Sequence, residues 1–532
     1  MADRKAIAGL AKLVAKDVAA GHPGDNTLYA SQSLEGQPDA ALDLIELTLA
    51  EAAKKRPNQK LVSAYAFLFG QTLETLRYRI EAGHSDARAL ADAVRERLLA
   101  AGRNGEAKPT LLLLLLGEFG PAKLDPGDDL RDLVTSLLNH RAERMAGESN
   151  AEQLTAYVAD VVNAAQGDPF ALFVQMQEMG QAFPDDHRTA MAALLLHTGE
   201  PIAREAAVGW LIDPSPLVRE RVARSLEQAA VQGLVTSTML RRMIAVRNWV
   251  PAAGRPALDG AIQACRRKGV ECAAWPEVQV SEVLVTGVDG SGAIGVLTVS
   301  REGRKHAFGS LLLKYGIGIR DAWAQHGLTR GEIDATLLQA TGLDQIAVDV
   351  GFLRTAVGHF LAISLDSGTV VPFGLVDFVE IVGLHSVQPS LVPTEDLLAS
   401  IKQSAEHAEL EGAALDRLLE AGHDLSDEYI FLESWFEDGD EVCAFLGGKG
   451  MTRAKREALI MQQLLETKRS RWADLLAWSA FLLSRSDEAE RWPEFYAAAR
   501  ALLDGRPITA VPIMRHIAAQ TVAALADRRQ RS

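Results

Sequence analysis

The densest set of chemically capable side chains lies between Arg241 and Lys268, where seven bases face the single acid Asp259. Within it Arg241, Arg242, Arg247, Trp249 and Arg255 sit close together, with Asn248 and Pro251 among them. Guanidinium forks hold phosphates and carboxylates through paired hydrogen bonds, and an indole stacks on a base or another flat group. These five residues are therefore the candidate anion- or partner-binding set. The bland counterpart is a hydrophilic helix face whose charges are answered inside the molecule. Glu395 to Glu441 offers such an answer, with fifteen acids against Lys402 and Arg417, and a second basic stretch runs from Arg453 to Arg471. The formal net charge of −15 repels polyanions from the chain as a whole, so nucleic acid is possible as a partner but not favoured.

Two glycine-rich segments invite a phosphate-binding reading. Gly290-Ser291-Gly292-Ala293-Ile294-Gly295 spells the dinucleotide fingerprint, yet that motif needs a helix after the glycines, because helix N–H groups hold the pyrophosphate. Here a strand pattern follows. The strand–loop–strand setting, with Lys314 beyond it, resembles the glycine loop of protein kinases, but no His-Arg-Asp or Asp-Phe-Gly follows, and Val376-Asp377-Phe378-Val379 sits in a helical pattern. A turn is the better account. Leu446-Gly447-Gly448-Lys449-Gly450-Met451-Thr452 is similar to a Walker loop but has Cys443 and Gly450 where glycine and Ser or Thr are required, so it reads as a glycine link between helices.

Metal patterns are weaker still. The twelve histidines include no HExxH, and Cys265, Cys272 and Cys443 form no CxxC. Asp438-Gly439-Asp440-Glu441 opens like an EF-hand loop and lacks its later glycine and glutamate, while Asp424, Asp427 and Glu428 read as solvated acids. His197 and His359 lie in helical apolar contexts and are expected as core or boundary residues. No catalytic residue, cofactor site or metal site is assigned.

The elements that must position these groups are mostly helical. Residues 1–277 repeat apolar residues at three- and four-residue steps, broken by turn signals at Gly21-His22-Pro23-Gly24 and Lys55-Arg56-Pro57-Asn58. Stripes of Ile202, Ala206 and Trp210, of Val218, Val222, Leu226 and Ala229, and of Leu258, Ile262 and Cys265 each point one face at a neighbour. Between the first two, Asp213-Pro214-Ser215-Pro216-Leu217-Val218-Arg219 resembles the inter-helix turn of HEAT repeats, a likeness confined to about 201–265. It implies stacked helical hairpins and no particular function.

At Trp275-Pro276 the period changes to alternation. Val280, Val283 and Val285, then Ile294 to Val299, then Ala307 to Leu313, joined by Asp-Gly and Glu-Gly turns, predict a three-stranded antiparallel meander. Such a small sheet must lie on helices. Thr329-x-x-Glu332 forms a capping box, a long helix is expected from about Asp344 to Asp366, and another beyond Pro372. From Thr394 onward Trp435, Trp472, Trp478 and Trp492 supply large packing groups.

The expected fold is mainly α, a multi-helix array or α-solenoid with a small three-stranded β-meander insert. Its segments are 1–277, helical; 278–316, the meander; 317–394, helices packing on the meander; and 395–532, a helical domain acidic first and basic later. The longest apolar run, Leu111 to Leu116, is far short of the roughly 20 residues that cross a bilayer, so no membrane is expected. Met1 to Lys5 lead into an amphipathic stretch rather than a signal, and three cysteines in so long a chain suit a reducing, cytoplasmic compartment. The expected role is a non-enzymatic helical scaffold that binds another protein. The alternative is an enzyme with its site between the meander and a helical face, and a third is an RNA- or DNA-associated factor using 241–268.

Overall fold

The computed structural model describes residues 4–20, 24–34, 36–145, 159–163, 165–339, 344–405, 409–442, 451–486 and 490–531. The Gly447-Gly448-Lys449-Gly450 link and Cys443 lie outside them. The chain divides into two units, Met1–Trp210 and Leu211–Ser532.

The first unit is helical. Its longest helix, Gln59–Glu81, starts where the Asn58 side chain accepts the Leu61 N–H, a standard N-cap. Helices Arg4–Ala20, Ala40–Ala52 and Ser85–Arg103 pack around it. Their shared core includes Leu68, Phe69, Leu73 and Leu76, and Phe69 meets Phe119 edge-on at 6.1 Å. The Leu111–Leu116 run folds as part of helix Pro109–Gly117, burying Leu111, Leu112, Leu115 and Leu116 on one face. Among the described residues no helix is long and apolar enough to cross a membrane.

The second unit opens with helices Pro216–Val231, Ser237–Val246 and Arg255–Arg267, the first packing on the third. Pro216 occupies the first helical turn, where its missing N–H costs nothing. Arg219 folds back so that Nη1 donates to the carbonyls of Asp213 and Pro214, and the Asp213 carboxylate accepts the Ser215 N–H. That arginine fixes the turn.

A sheet follows, larger than the meander read from sequence. It has five antiparallel strands in the order β4-β3-β2-β1-β5, with β1 at Gln279–Val285, β2 at Ala293–Glu302, β3 at Lys305–Lys314, β4 at Gly318–Leu328 and β5 at Ile346–Ala347. The fourth strand has few β-branched residues and a polar second half, so alternation does not reveal it. β5 is two residues long, and the helix expected from Asp344 starts only at Val350, where the Asp349 side chain accepts the Phe352 N–H. One face of the sheet lies under helices Val350–Asp366 and Gly374–Ile381, with Phe378 and Ile381 against Gly309. The opposite face holds Val299 and Phe308 under Ile333 of helix Arg330–Gln339, which starts at the Thr329/Glu332 capping box. The fold is mainly α with a β insert.

Beyond it come helices Thr394–Ser404, Gly412–Ala421, Arg453–Leu459 (continuing through a π-helical stretch, Ile460–Leu465), Arg469–Leu483, Trp492–Leu503 and Pro512–Arg531. Trp435, Trp472 and Phe495 form their aromatic centre, with the two indoles 5.4 Å apart. The β1–β2 hairpin tip docks there. Trp435 Nε1 donates to the Val288 carbonyl at 2.7 Å, the Gly290 N–H donates to Ser434 Oγ at 2.9 Å, and Arg471 Nη2 donates to the Gly290 carbonyl. The tip explains its glycines: a Cβ on Gly290 would stand 1.9 Å from the Ser434 carbonyl oxygen, and Gly292 has φ +78°. A strand, not a helix, follows them.

Candidate functional site

Helix Ser237–Val246 presents Arg241 and Arg242 inward rather than to solvent. Both are buried, and both reach Glu380, itself buried on helix Gly374–Ile381. Arg241 Nη2 donates to Oε1 at 2.9 Å, and Arg242 donates from Nε to Oε1 at 3.3 Å and from Nη2 to Oε2 at 3.4 Å. Arg241 Nη1 also donates to the Ala274 carbonyl at 2.6 Å. Arg247 pairs with Asp259, Nη2 to Oδ2 at 2.8 Å, which holds the Asp259 carboxyl below its usual range. Arg255 donates to the carbonyls of Val250 and Asn248, and Trp249 is buried with its Nε1 unpartnered. The five candidates therefore lie near one another, each turned to internal partners or buried. The partners seen among the described residues include Glu380, Asp259, the Asn248 side chain and backbone carbonyls.

The acidic segment has its own cations, further along the chain. Arg491 bonds Asp424 at 2.8 Å and Glu428 at 3.1 Å, Arg500 bonds Glu395 at 2.7 Å, and Arg506 bonds Asp416 at 2.5 Å. Buried Glu437 accepts Lys468 Nζ at 2.7 Å, Arg471 Nη1 at 3.1 Å and Trp472 Nε1 at 3.0 Å. Charges that alternate in blocks along the sequence thus close locally in the fold.

The histidines are similarly committed. His359 is buried, its Nδ1 accepting the Val392 N–H at 3.0 Å, and burial pushes its pKa down to about 4. His197 lies exposed, bonded to its own helix at the Ala193 carbonyl. His326, unremarked in sequence, is held by Asp377 at Nε2 (3.0 Å) and by Glu302 at Nδ1 (2.6 Å). The Asp377 bond above all, against the cost of burial, raises its pKa to about 9. With both ring nitrogens bonded it is a cationic clasp, not a free base.

Directly outside the Arg241–Arg242–Glu380 cluster the surface opens. Trp275 lies over Arg241, 5.3 Å from guanidinium carbon to ring centroid, and stacks on His385 at 4.8 Å and 23°. This stack forms one end of an open groove of about 740 Å³, whose walls are residues 275–280 on one side and Val350, Val382, Gly383 and His385 on the other. The groove therefore lies between the first strand of the sheet and the helices packed on it. Arg354 is exposed one helical turn beyond Val350 and holds no ion pair among the described residues. His385 registers the local field: burial, then Arg241, then Arg354 depress its pKa, against Glu380. Its Nδ1 is enclosed and without a partner.

Sequence reading missed Trp275, His385, Arg354 and Glu380. The one signal is Trp275-Pro276, which marks the change of period and by itself reads only as a boundary. The other three lie between 79 and 110 positions from Trp275, and nothing local ties them to it.

Two family models match, that of the Y4lR second domain over residues 184–269 and that of the Y4lR C-terminal helical domain over 395–526. The chain resembles y4lR. That relative, the uncharacterized protein y4lR of Sinorhizobium fredii, is 26% identical over 465 residues, covering 86% of this chain and 88% of its own. Arg241 and Arg242 fall within the second-domain match, whereas Glu380 and the groove walls fall outside both matches. No solved structure matches the chain.

Proposed function

We propose that this protein is a non-enzymatic helical scaffold of the cytoplasm that binds another protein through the groove at Trp275 and His385. One observation carries the reading. The groups best suited to catalysis or anion capture are spent on internal partners, while the groove beside them is open, with mostly apolar walls, Glu277 on one of them, and Arg354 one helical turn beyond Val350. That composition, an apolar floor with a polar rim, suits a protein partner. The two cysteines described, buried Cys265 and exposed Cys272, are both free, as a reducing compartment requires. HEAT-like stacking over about 201–265 is supported by the packing of helix Pro216–Val231 on helix Arg255–Arg267 and by the arginine-fixed turn at Asp213.

The test is affinity capture from a cell extract with the native chain and with a Trp275→Ala/Arg354→Glu double variant shown to be folded. The expected result is a discrete protein retained by the native chain and lost from the variant, with cross-links to 275–280 or 382–385. Identical retention by both would refute the groove as the binding surface. A small molecule that raises the melting temperature of the native chain alone would favour an enzyme with its site in the groove. Salt-sensitive binding of RNA or DNA would favour the nucleic-acid reading.

A further inference from the structure

β1 is paired from Gln279 to Val285 on one edge, to β2, apart from one bulge, but only in part on the other. There β5 covers Leu284 and Val285, and the Val348 N–H adds a bond to the Val283 carbonyl. The pairing then stops because Asp349 turns the chain into the Val350–Asp366 helix. Among the described residues no strand covers the outer edge from Gln279 to Glu282, and Gln279 and Ser281 are exposed. A β-bulge interrupts the ladder between Val280 and Glu282, leaving Ser281 out of the ladder, although its hydroxyl donates to the Val299 carbonyl on β2 at 3.0 Å. The groove opens along this uncovered stretch, with Val350 marking the point where β5 departs.

A bare strand edge selects for one kind of occupant. Its N–H and C=O groups are matched by a chain in extended conformation about 4.8 Å away, and by little else. An incoming strand continues the line of β5, antiparallel to β1, and places alternate side chains toward the Val278, Val350 and Val382 walls. At the stacked end Arg354 holds no ion pair among the described residues, and Glu277 is the one acid on the groove wall. An acidic side chain is the complement to Arg354, on the helix side away from Glu277.

Building on the scaffold reading, we propose that the groove takes an extended segment of a partner protein as an added strand on β1 at 278–282, with apolar side chains in the groove and an acidic one at Arg354.

The experiment selects random linear peptides on phage against the full chain, then measures the selected peptides by calorimetry. The expected peptides alternate apolar residues beside at least one acid. N-methylation of alternate peptide nitrogens, which removes donors from one edge without altering the protein, should weaken binding at least about tenfold for one phase and little for the other. Ser281→Pro should weaken it by a similar factor, since proline is tolerated at bulges and edges yet blocks pairing there. Arg354→Glu should weaken acidic peptides about tenfold. Binding insensitive to N-methylation in both phases overturns strand addition and leaves a protein-binding role standing. Failure to select any groove-dependent peptide overturns it as well. So does a concentration-dependent dimer of the native chain that Ser281→Pro abolishes, because the occupant is then a second copy of the chain.

Discussion

Replacing Glu380 with glutamine isolates the physics of the cluster beneath the groove. The substitution keeps the side chain's size and one acceptor oxygen, but removes the carboxylate that bonds both Arg241 and Arg242. All three side chains are no more than 9% exposed, so water cannot take the carboxylate's place. The new amide also turns an N–H₂ toward guanidinium donors. Breaking a buried pair by removing one partner costs about 3–5 kcal/mol, because an uncompensated charge stays behind. That is a fall of two to three and a half powers of ten in the folding equilibrium, on the scale of about 1.4 kcal/mol per tenfold. Arg247→Gln is the internal control. Its pair with Asp259 is about a third exposed on each side, and such pairs are worth about 0–1 kcal/mol. Urea unfolding followed by tryptophan fluorescence reports on the second unit, which holds seven of the eight tryptophans. Adding Arg242→Met to Glu380→Gln should restore part of the loss by removing one stranded charge. A Glu380→Gln cost below about 1 kcal/mol, or equal to that of Arg247→Gln, would refute the claim that this cluster is dry and charge-balanced.

Three further outcomes follow from the same reasoning. The pKa of His326 is raised from 6.5 to about 9, so its contribution is full below pH 6.5 and lost as pH rises through 9; urea titrations across that window should show the decline, and His326→Gln should flatten it. Glu118 is raised to about 7, by burial first and then by Glu178 and Glu74, so the fold prefers it protonated. The first unit should therefore gain stability as pH falls through 7 toward 4.5, a gain that Glu118→Gln removes when melting is followed by amide hydrogen exchange. Gly290→Ala should cost about 1–3 kcal/mol by overpacking against Ser434, whereas Gly303→Ala, with open space around its Cβ, should cost only the strain of its positive φ; equal costs in urea would contradict the docked tip.

The helices were legible because their apolar stripes have a single period and are buried on one side. Val218, Val222, Leu226 and Ala229 all prove inaccessible, as do Leu258, Ile262 and Cys265. The first three strands were legible for the matching reason. β4 was not, since it is held by pairing to β3 and by helices above it rather than by its own alternation. At the site, the arginines were visible as a group but their orientation was not. Sequence shows that Arg241 and Arg242 are adjacent; only the fold shows that Glu380, some 138 positions away, lies between their guanidinium groups. The same limit hid the groove, whose walls come from three separate stretches of chain.

The docked hairpin tip also bears on the order in which the molecule can be assembled. The Y4lR C-terminal match begins at residue 395, yet the aromatic centre of that region hydrogen-bonds to carbonyl and amide groups at 288 and 290. During synthesis the hairpin leaves the ribosome more than a hundred residues before Trp435 does. The sheet can then wait as a template on which the later helices close, a long-range contact of the kind that slows folding. A fragment starting at 395 would have to mature without its template, leaving the Trp435 indole N–H to find another acceptor and the Ser434 hydroxyl, which donates to the Phe431 carbonyl, without the Gly290 N–H. The evolutionary module and the folding module of this chain therefore have different edges.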